Sequence, residues 1–134
     1  MRHCLFLDLQ DDPALIAEYE AHHRAVWPEV LQHLDAHGVT AMRIWRLGTR
    51  LCMLMETDDA RFDATRMARA ESTNPRIAQW EALMARFQAP TPWTAAERKW
   101  TPGALVFDWE PGAEKGGTNP RGAADGRPGG ASAP

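Results

Sequence analysis

Two side chains that could transfer a proton, Tyr19 and His23, lie four residues apart. Residues at this spacing are neighbours on the surface of a helix. Both fall on the apolar stripe of a predicted helix, and a histidine held against apolar walls is suited to giving and taking protons near neutral pH. A buried histidine bonded to a backbone carbonyl, beside an ordinary core tyrosine, has the same spacing. The pattern by itself leaves both interpretations open.

The other histidines and the two cysteines are weaker candidates for chemistry. His22 is predicted to turn toward the polar side of the helix, and His33 and His37 to lie at the surface near a helix C-terminus, where positive charge is favoured. Adjacent helical residues point apart, and Cys4 and Cys52 lack the spacing of a metal site. We therefore expect no metal and two reduced thiols.

Most charged side chains are predicted to be solvated. Glu18 and Glu20 fall on the helix surface, and Arg43 and Arg46 alternate across a strand. Glu29 follows Trp-Pro, and its position fits either a cap at a helix bend or a hydrogen-bond acceptor in a pocket.

Hydrophobic spacing predicts the elements that position these residues. Alternating apolar residues predict strands over 3–9, 40–47, 50–57 and 105–109. Apolar residues three and four apart predict helices over 13–37, 60–70 and 76–88. Asp12 and Pro13 begin the first helix, Gly38 ends it, and Pro28 bends or breaks it near Trp27.

The resulting order, β-α-β-β-α-β, is the ferredoxin-like α+β arrangement. Helices cover one face of such a sheet. The other face is also apolar here, at Cys4, Phe6, Cys52 and Leu54. A second copy of the same sheet is the simplest cover, so we expect a homodimer.

Composition bounds the class of protein. The 134 residues, with 25% charged side chains and a net charge of -3, fit one globular domain over 1–110. The remaining 111–134 hold seven of the ten glycines and no aromatic residue, and are predicted to be a disordered tail. No long apolar run or export signal is present, which favours a cytoplasmic protein away from membranes. The mild acidity argues against a nucleic-acid partner.

The helix sequence around His23 resembles a motif of the L-rhamnose mutarotase family. The motif has a tyrosine, a histidine four residues on, and then Trp-Pro-Glu, which here is Trp27-Pro28-Glu29. Further matches keep the family's order: His37-Gly38, Ile44-Trp45, Met53 to Glu56, Trp80 and Val106-Phe107. The resemblance covers about 1–110.

This resemblance implies a dimeric ferredoxin-like α/β barrel with the activity of a cofactor-free sugar 1-epimerase. Such an isomerase interconverts the α and β anomers of a 6-deoxy-L-hexose by opening and closing the ring. The resemblance assigns the proton-donor role to His23 and substrate contact to Tyr19 and Trp80. The second proton-transfer group stays unassigned.

Two positions depart from the rhamnose enzymes of the family. Met42 stands where they have a tyrosine, and Gln79 where they have the first of two tryptophans. If both residues contact the sugar, L-fucose and L-rhamnose are both candidate substrates, and the two changes favour L-fucose. The competing interpretations are a cofactor-free monooxygenase on the same dimeric barrel and a protein that only binds a small ligand.

Overall fold

One antiparallel sheet organises the chain. Its strands are β1 (Arg2–Leu9), β2 (Val39–Leu47), β3 (Arg50–Thr57), β4 (Gln88–Ala89) and β5 (Thr101–Pro102). In the computed structural model, which describes residues 1–112, the strand order is β2-β3-β1-β4, and β5 also pairs with β1. Every pairing is antiparallel. The fold is the predicted ferredoxin-like α+β type, with β1 in the middle of the sheet.

Four helices connect and cover the strands: α1 (Pro13–His23), α2 (Pro28–Ala36), α3 (Ala64–Thr73) and α4 (Pro75–Ala85). The helix predicted over 13–37 is broken in two at the proline where a bend or break was predicted, because Pro28 lacks an N–H and starts a new helix. The Asp12 carboxylate accepts from the N–H groups of Ala14 and Leu15, at 2.9 and 3.3 Å, and fixes the start of α1.

The second pair of helices is shifted from its predicted ranges. We predicted 60–70 and 76–88, and the helices run from Ala64 and from Pro75. The carboxylate of Asp63 accepts from the Arg66 N–H at 3.1 Å, and the amide oxygen of Asn74 accepts from the Arg76 N–H at 3.0 Å. These side chains cap the N-terminus of each helix and so set where it begins.

The core lies between the helices and one face of the sheet. Side chains alternate along a strand, so the buried residues of β1 and β3 are every second one. On the helix side these are Leu5, Leu7, Leu9, Leu51, Met53 and Met55, all at most 3% exposed. The outer face carries Cys4, Phe6, Cys52 and Leu54, which no helix covers. The expectation of two apolar faces is confirmed.

The strand predicted over 105–109 is wrong. β5 lies earlier, and after it the Gly103 N–H donates to the Cys4 carbonyl at 2.9 Å. Residues 105–109 then have no regular secondary structure, and Phe107 is 76% exposed. β1 already pairs with β3 on one side and with β4 and β5 on the other. The apolar pattern was correct, but the described chain offers this segment no free neighbour beside β1.

The domain boundary at 110 stays a prediction. Beyond Gly112, the tail predicted over 111–134 lies outside the described residues. Within 1–112, every helix is too short or too polar to cross a membrane.

Candidate functional site

His23, the last residue of α1, is held in one tautomer by its own helix. Its Nδ1 lies 2.9 Å from the Tyr19 carbonyl oxygen. A carbonyl oxygen only accepts, so Nδ1–H is the donor and the lone pair of the neutral ring is on Nε2. Nε2 is buried and has no hydrogen-bond partner among the described residues. The ring therefore presents an unused proton acceptor.

Tyr19 stacks against this ring. The two ring centroids are 4.2 Å apart, with planes tilted by 35°. The tyrosine is 3% exposed, and its hydroxyl has no hydrogen-bond partner among residues 1–112. Burial raises the pKa of the Tyr19 phenol well above its ordinary value, the Gln88 side chain offsets part of this effect, and the charge of Glu81 adds to it. The phenol stays protonated and can donate a hydrogen bond.

Trp80 of α4 packs behind the histidine. Its ring lies 5.8 Å from that of His23 and 5.1 Å from that of Trp27, edge to face in both cases. The Arg76 guanidinium sits 3.7 Å over the Trp27 ring. Trp80 is fully buried, and its Nε1–H has no partner among the described residues. Trp27 of the Trp-Pro-Glu motif thus packs against the tryptophan that contacts the His23 ring.

A cavity of about 430 Å³ opens between α1 and the β2–β3 hairpin. This volume falls in the range of small-molecule sites. The lining residues are Tyr19, Glu20, His23, Arg24, Ile44, Trp45, Arg46 and Leu51. The structure therefore brings Tyr19 and His23 together at one cavity with an apolar floor and a charged rim.

The charged rim consists mainly of an ion pair that the sequence did not predict. The Nε–H of Arg46 donates to the Glu20 carboxylate, and Nη1–H donates to the Gly48 carbonyl at 2.9 Å. Both residues were predicted to be solvated. The available signal was their position, since Glu20 follows Tyr19 and Arg46 shares a strand face with Ile44.

The remaining predicted site residues lie outside the cavity lining. Met42 is partly buried beside the core and pairs with Met55, on the same face of β2 as Ile44. Gln79 is on the exposed side of α4 and accepts a hydrogen bond from Arg76 at 3.2 Å. Their roles in substrate binding stay predictions.

Two expectations about the other histidines are wrong. His33 is buried, with Nε2 3.6 Å from the Glu71 carboxylate, because α4 packs against α2, and α3, which packs against α4, brings Glu71 to this side. His22 is half-buried, and its ring turns to the apolar side, 5.6 Å from the Phe87 ring and 6.4 Å from the Trp80 ring. Among the described residues, no three histidine, cysteine or acidic side chains come close enough to hold a metal ion.

The sequence profile of a family described as L-rhamnose mutarotase matches residues 2–109. The chain belongs to the L-rhamnose mutarotase family. It is 45% identical, over 108 residues, to an L-fucose mutarotase of Xanthomonas campestris pv. campestris, an alignment that covers 79% of this chain and 86% of the relative. It is 36% identical to a UPF0734 protein of Dictyostelium discoideum, with coverages of 76% and 84%. The chain is therefore an isomerase of the sugar mutarotase type.

Solved structures agree on the fold of this mutarotase. An L-rhamnose mutarotase of Formosa agariphila superimposes with a TM-score of 0.59 at 19% identity, over 82% of this chain and 99% of the other. The tetracenomycin F2 cyclase of Streptomyces glaucescens superimposes with a TM-score of 0.52 at 20% identity, over 82% and 97%. At these identities the likeness shows the fold alone.

Proposed function

We propose that this mutarotase interconverts the α and β anomers of a 6-deoxy-L-hexose, and that His23 moves the proton. The observation that carries the proposal is the free Nε2 of His23, whose tautomer is fixed by the 2.9 Å bond to the Tyr19 carbonyl. A general base needs a free lone pair, and His23, which lines the cavity, carries one on Nε2.

In the proposed reaction, Nε2 accepts the proton of the anomeric hydroxyl while the bond between C1 and the ring oxygen breaks. The ring oxygen takes a proton through water, which gives the open-chain aldehyde. The raised pKa of Tyr19 makes its phenol a hydrogen-bond donor to a sugar hydroxyl and a poor acid. Rotation about C1–C2 and reclosure reverse both transfers and return the proton from His23 to the new anomeric oxygen.

L-Fucose is the proposed preferred sugar, with L-rhamnose as the slower substrate. The 45% identity to an L-fucose mutarotase supports this order. Indole and aliphatic walls suit the apolar face and the methyl group of a 6-deoxy sugar.

Saturation-transfer NMR tests the function. The protein is added to a panel of L- and D-aldoses, and exchange between the two anomeric H1 resonances is measured. We expect exchange to exceed the buffer rate for L-fucose and L-rhamnose, with L-fucose faster. A protein that exchanges no aldose but binds a sugar or oxidises an aromatic substrate would support the binding or monooxygenase interpretation instead.

We further propose that the enzyme is a cytoplasmic homodimer. The outer face of the sheet and the segment 105–109 expose large apolar side chains, including Trp45, Phe107 and Trp109. A second copy would cover both surfaces. The Cys4 and Cys52 sulfurs lie 3.8 Å apart, and such a pair stays reduced in the cytoplasm.

Light scattering tests the assembly. We expect a mass twice that of the 15.0 kDa chain at micromolar concentration. Phe107→Asp should lower that mass, whereas the matched change Leu31→Asp, at an exposed residue of α2, should not. A monomeric mass for the unchanged protein would contradict the dimer.

A further inference from the structure

The ion pair at the rim of the His23 cavity has unused hydrogen-bonding capacity. Arg46 donates its Nε–H to Glu20 and its Nη1–H to the Gly48 carbonyl. The Nη2 donors have no partner among residues 1–112. Glu20 likewise keeps its second carboxylate oxygen as an acceptor. Both side chains are roughly 40% exposed and line the cavity. Free donors and a free acceptor therefore stand side by side facing the same space.

This combination matches the chemistry of two adjacent sugar hydroxyls. A hydroxyl both donates and accepts, so one can donate to a carboxylate while its neighbour accepts from a guanidinium. Hydrogen bonds to charged groups are stronger than those between neutral groups. We propose that Glu20 and Arg46 are the specificity-determining pair of this enzyme, and that they select sugars by the configuration of an adjacent hydroxyl pair. This inference rests on the proposed function of the same cavity.

The position of the pair on the helix indicates which hydroxyls it reads. Glu20 precedes His23 by three residues, so their Cβ atoms are separated by about 5–6 Å on the helix surface. If the anomeric carbon lies at His23, that separation extends beyond the hydroxyl on C2 to the far side of the pyranose ring. The pair then faces the hydroxyls on C3 and C4. These are cis in L-fucose, whereas in L-rhamnose the cis pair is on C2 and C3.

Stabilisation of the fold explains the Glu20–Arg46 ion pair less well than selection of substrate does. Ion pairs between side chains this exposed contribute little to stability. The pair joins α1 to β2 across the cavity mouth, where water could solvate both charges separately. Selection of substrate gives the two charges a function in the place where they lie.

The experiment measures anomer exchange of L-fucose, L-rhamnose and 6-deoxy-L-glucose by the full chain and four single variants. Glu20→Gln and Arg46→Met test the pair. Glu18→Gln on the exposed side of α1 and Arg69→Met on α3 are the matched controls. We expect each test variant to lower L-fucose exchange about tenfold or more relative to L-rhamnose. Both controls should keep the ratio of the unchanged protein.

A charge-reversed variant, Glu20→Arg with Arg46→Glu, separates recognition from structure. It should keep the melting temperature, because an ion pair is still possible, but not the preference for L-fucose. Preference retained by the reversed pair, or an unchanged sugar ratio in Glu20→Gln and Arg46→Met, would overturn the selecting role while leaving the mutarotase activity standing. An unchanged protein that exchanges none of the three sugars would overturn the proposed function itself, and the selecting role with it.

Discussion

Replacing Tyr19 with phenylalanine should move stability and activity in opposite directions. The phenolic hydroxyl is buried with no hydrogen-bond partner among residues 1–112. Leaving such a group unpaired costs about 1–3 kcal/mol, and phenylalanine keeps the ring that stacks on His23 at 4.2 Å. We therefore expect the free energy of unfolding to stay constant or to rise by about 1 kcal/mol. In a domain of this size that corresponds to a melting temperature higher by roughly 4–8 °C.

Anomer exchange by Tyr19→Phe should fall, because the variant lacks the hydroxyl that is proposed to donate a hydrogen bond to the sugar. The loss of one hydrogen bond of about 1–1.5 kcal/mol corresponds to roughly a tenfold slower rate. Urea unfolding and saturation-transfer NMR on the same preparation measure both quantities. Phe87→Leu is the control with the opposite expectation. It removes a core ring 6.2 Å from Tyr19 and keeps the Tyr19 hydroxyl, so the free energy of unfolding should fall by about 1 kcal/mol while anomer exchange persists. Full activity in Tyr19→Phe would show that Tyr19 is ordinary core.

Three further results are expected. The double change Met42→Tyr with Gln79→Trp should shift the ratio of L-rhamnose to L-fucose exchange rates toward L-rhamnose by the equivalent of about 1–3 kcal/mol. An unchanged ratio would show that neither residue contributes to sugar selection. Burial and the neighbouring Cys52 raise the pKa of the Cys4 thiol to about 11. Iodoacetamide alkylation of Cys4 in the Phe107→Asp variant, whose sheet face no second copy covers, should therefore keep accelerating up to that pH when followed by mass spectrometry; a plateau near pH 8.5 would contradict this. Trp80→Phe should stay folded by circular dichroism yet slow exchange, since the His23 ring loses its 5.8 Å packing surface; an unaltered rate would limit Trp80 to the core.

Local sequence rules predicted most of the fold. Two-residue periodicity identified β1, β2 and β3, because one face of β1 and of β3 is buried against the helices and the same face of β2 is partly buried beside them. Pro28 and Gly38 marked real helix ends, and Gly38 adopts φ 82° where a Cβ would come within 2.9 Å of Arg61. The error at 105–109 arose because a strand needs a hydrogen-bonded neighbour, which an apolar pattern does not specify.

The site was predictable only where its residues share one helix. Tyr19 and His23 are four residues apart, so helical geometry alone brings them together. Glu20 and Arg46 are 26 residues apart and meet through tertiary packing, as do His33 and Glu71. Glu20 and Arg46 were predicted to be solvated and His33 to lie at the surface, because most charged side chains are exposed. The positions of Glu20 beside Tyr19 and of Arg46 on the strand face of Ile44 place them near the site, but a single sequence does not show that the two charges pair.

The central claim is that Nε2 of His23 drives anomer exchange in this cavity. Its most direct test is the rate of saturation transfer between the α and β H1 resonances of L-fucose, measured with equal amounts of the unchanged protein and His23→Gln. We expect exchange above the buffer rate with the unchanged protein and a loss of about 100-fold or more in the variant, the usual size of a general acid–base contribution. His37→Gln, which alters another histidine bonded to its own helix, should keep full activity. Equal rates for the unchanged protein and His23→Gln would contradict the account.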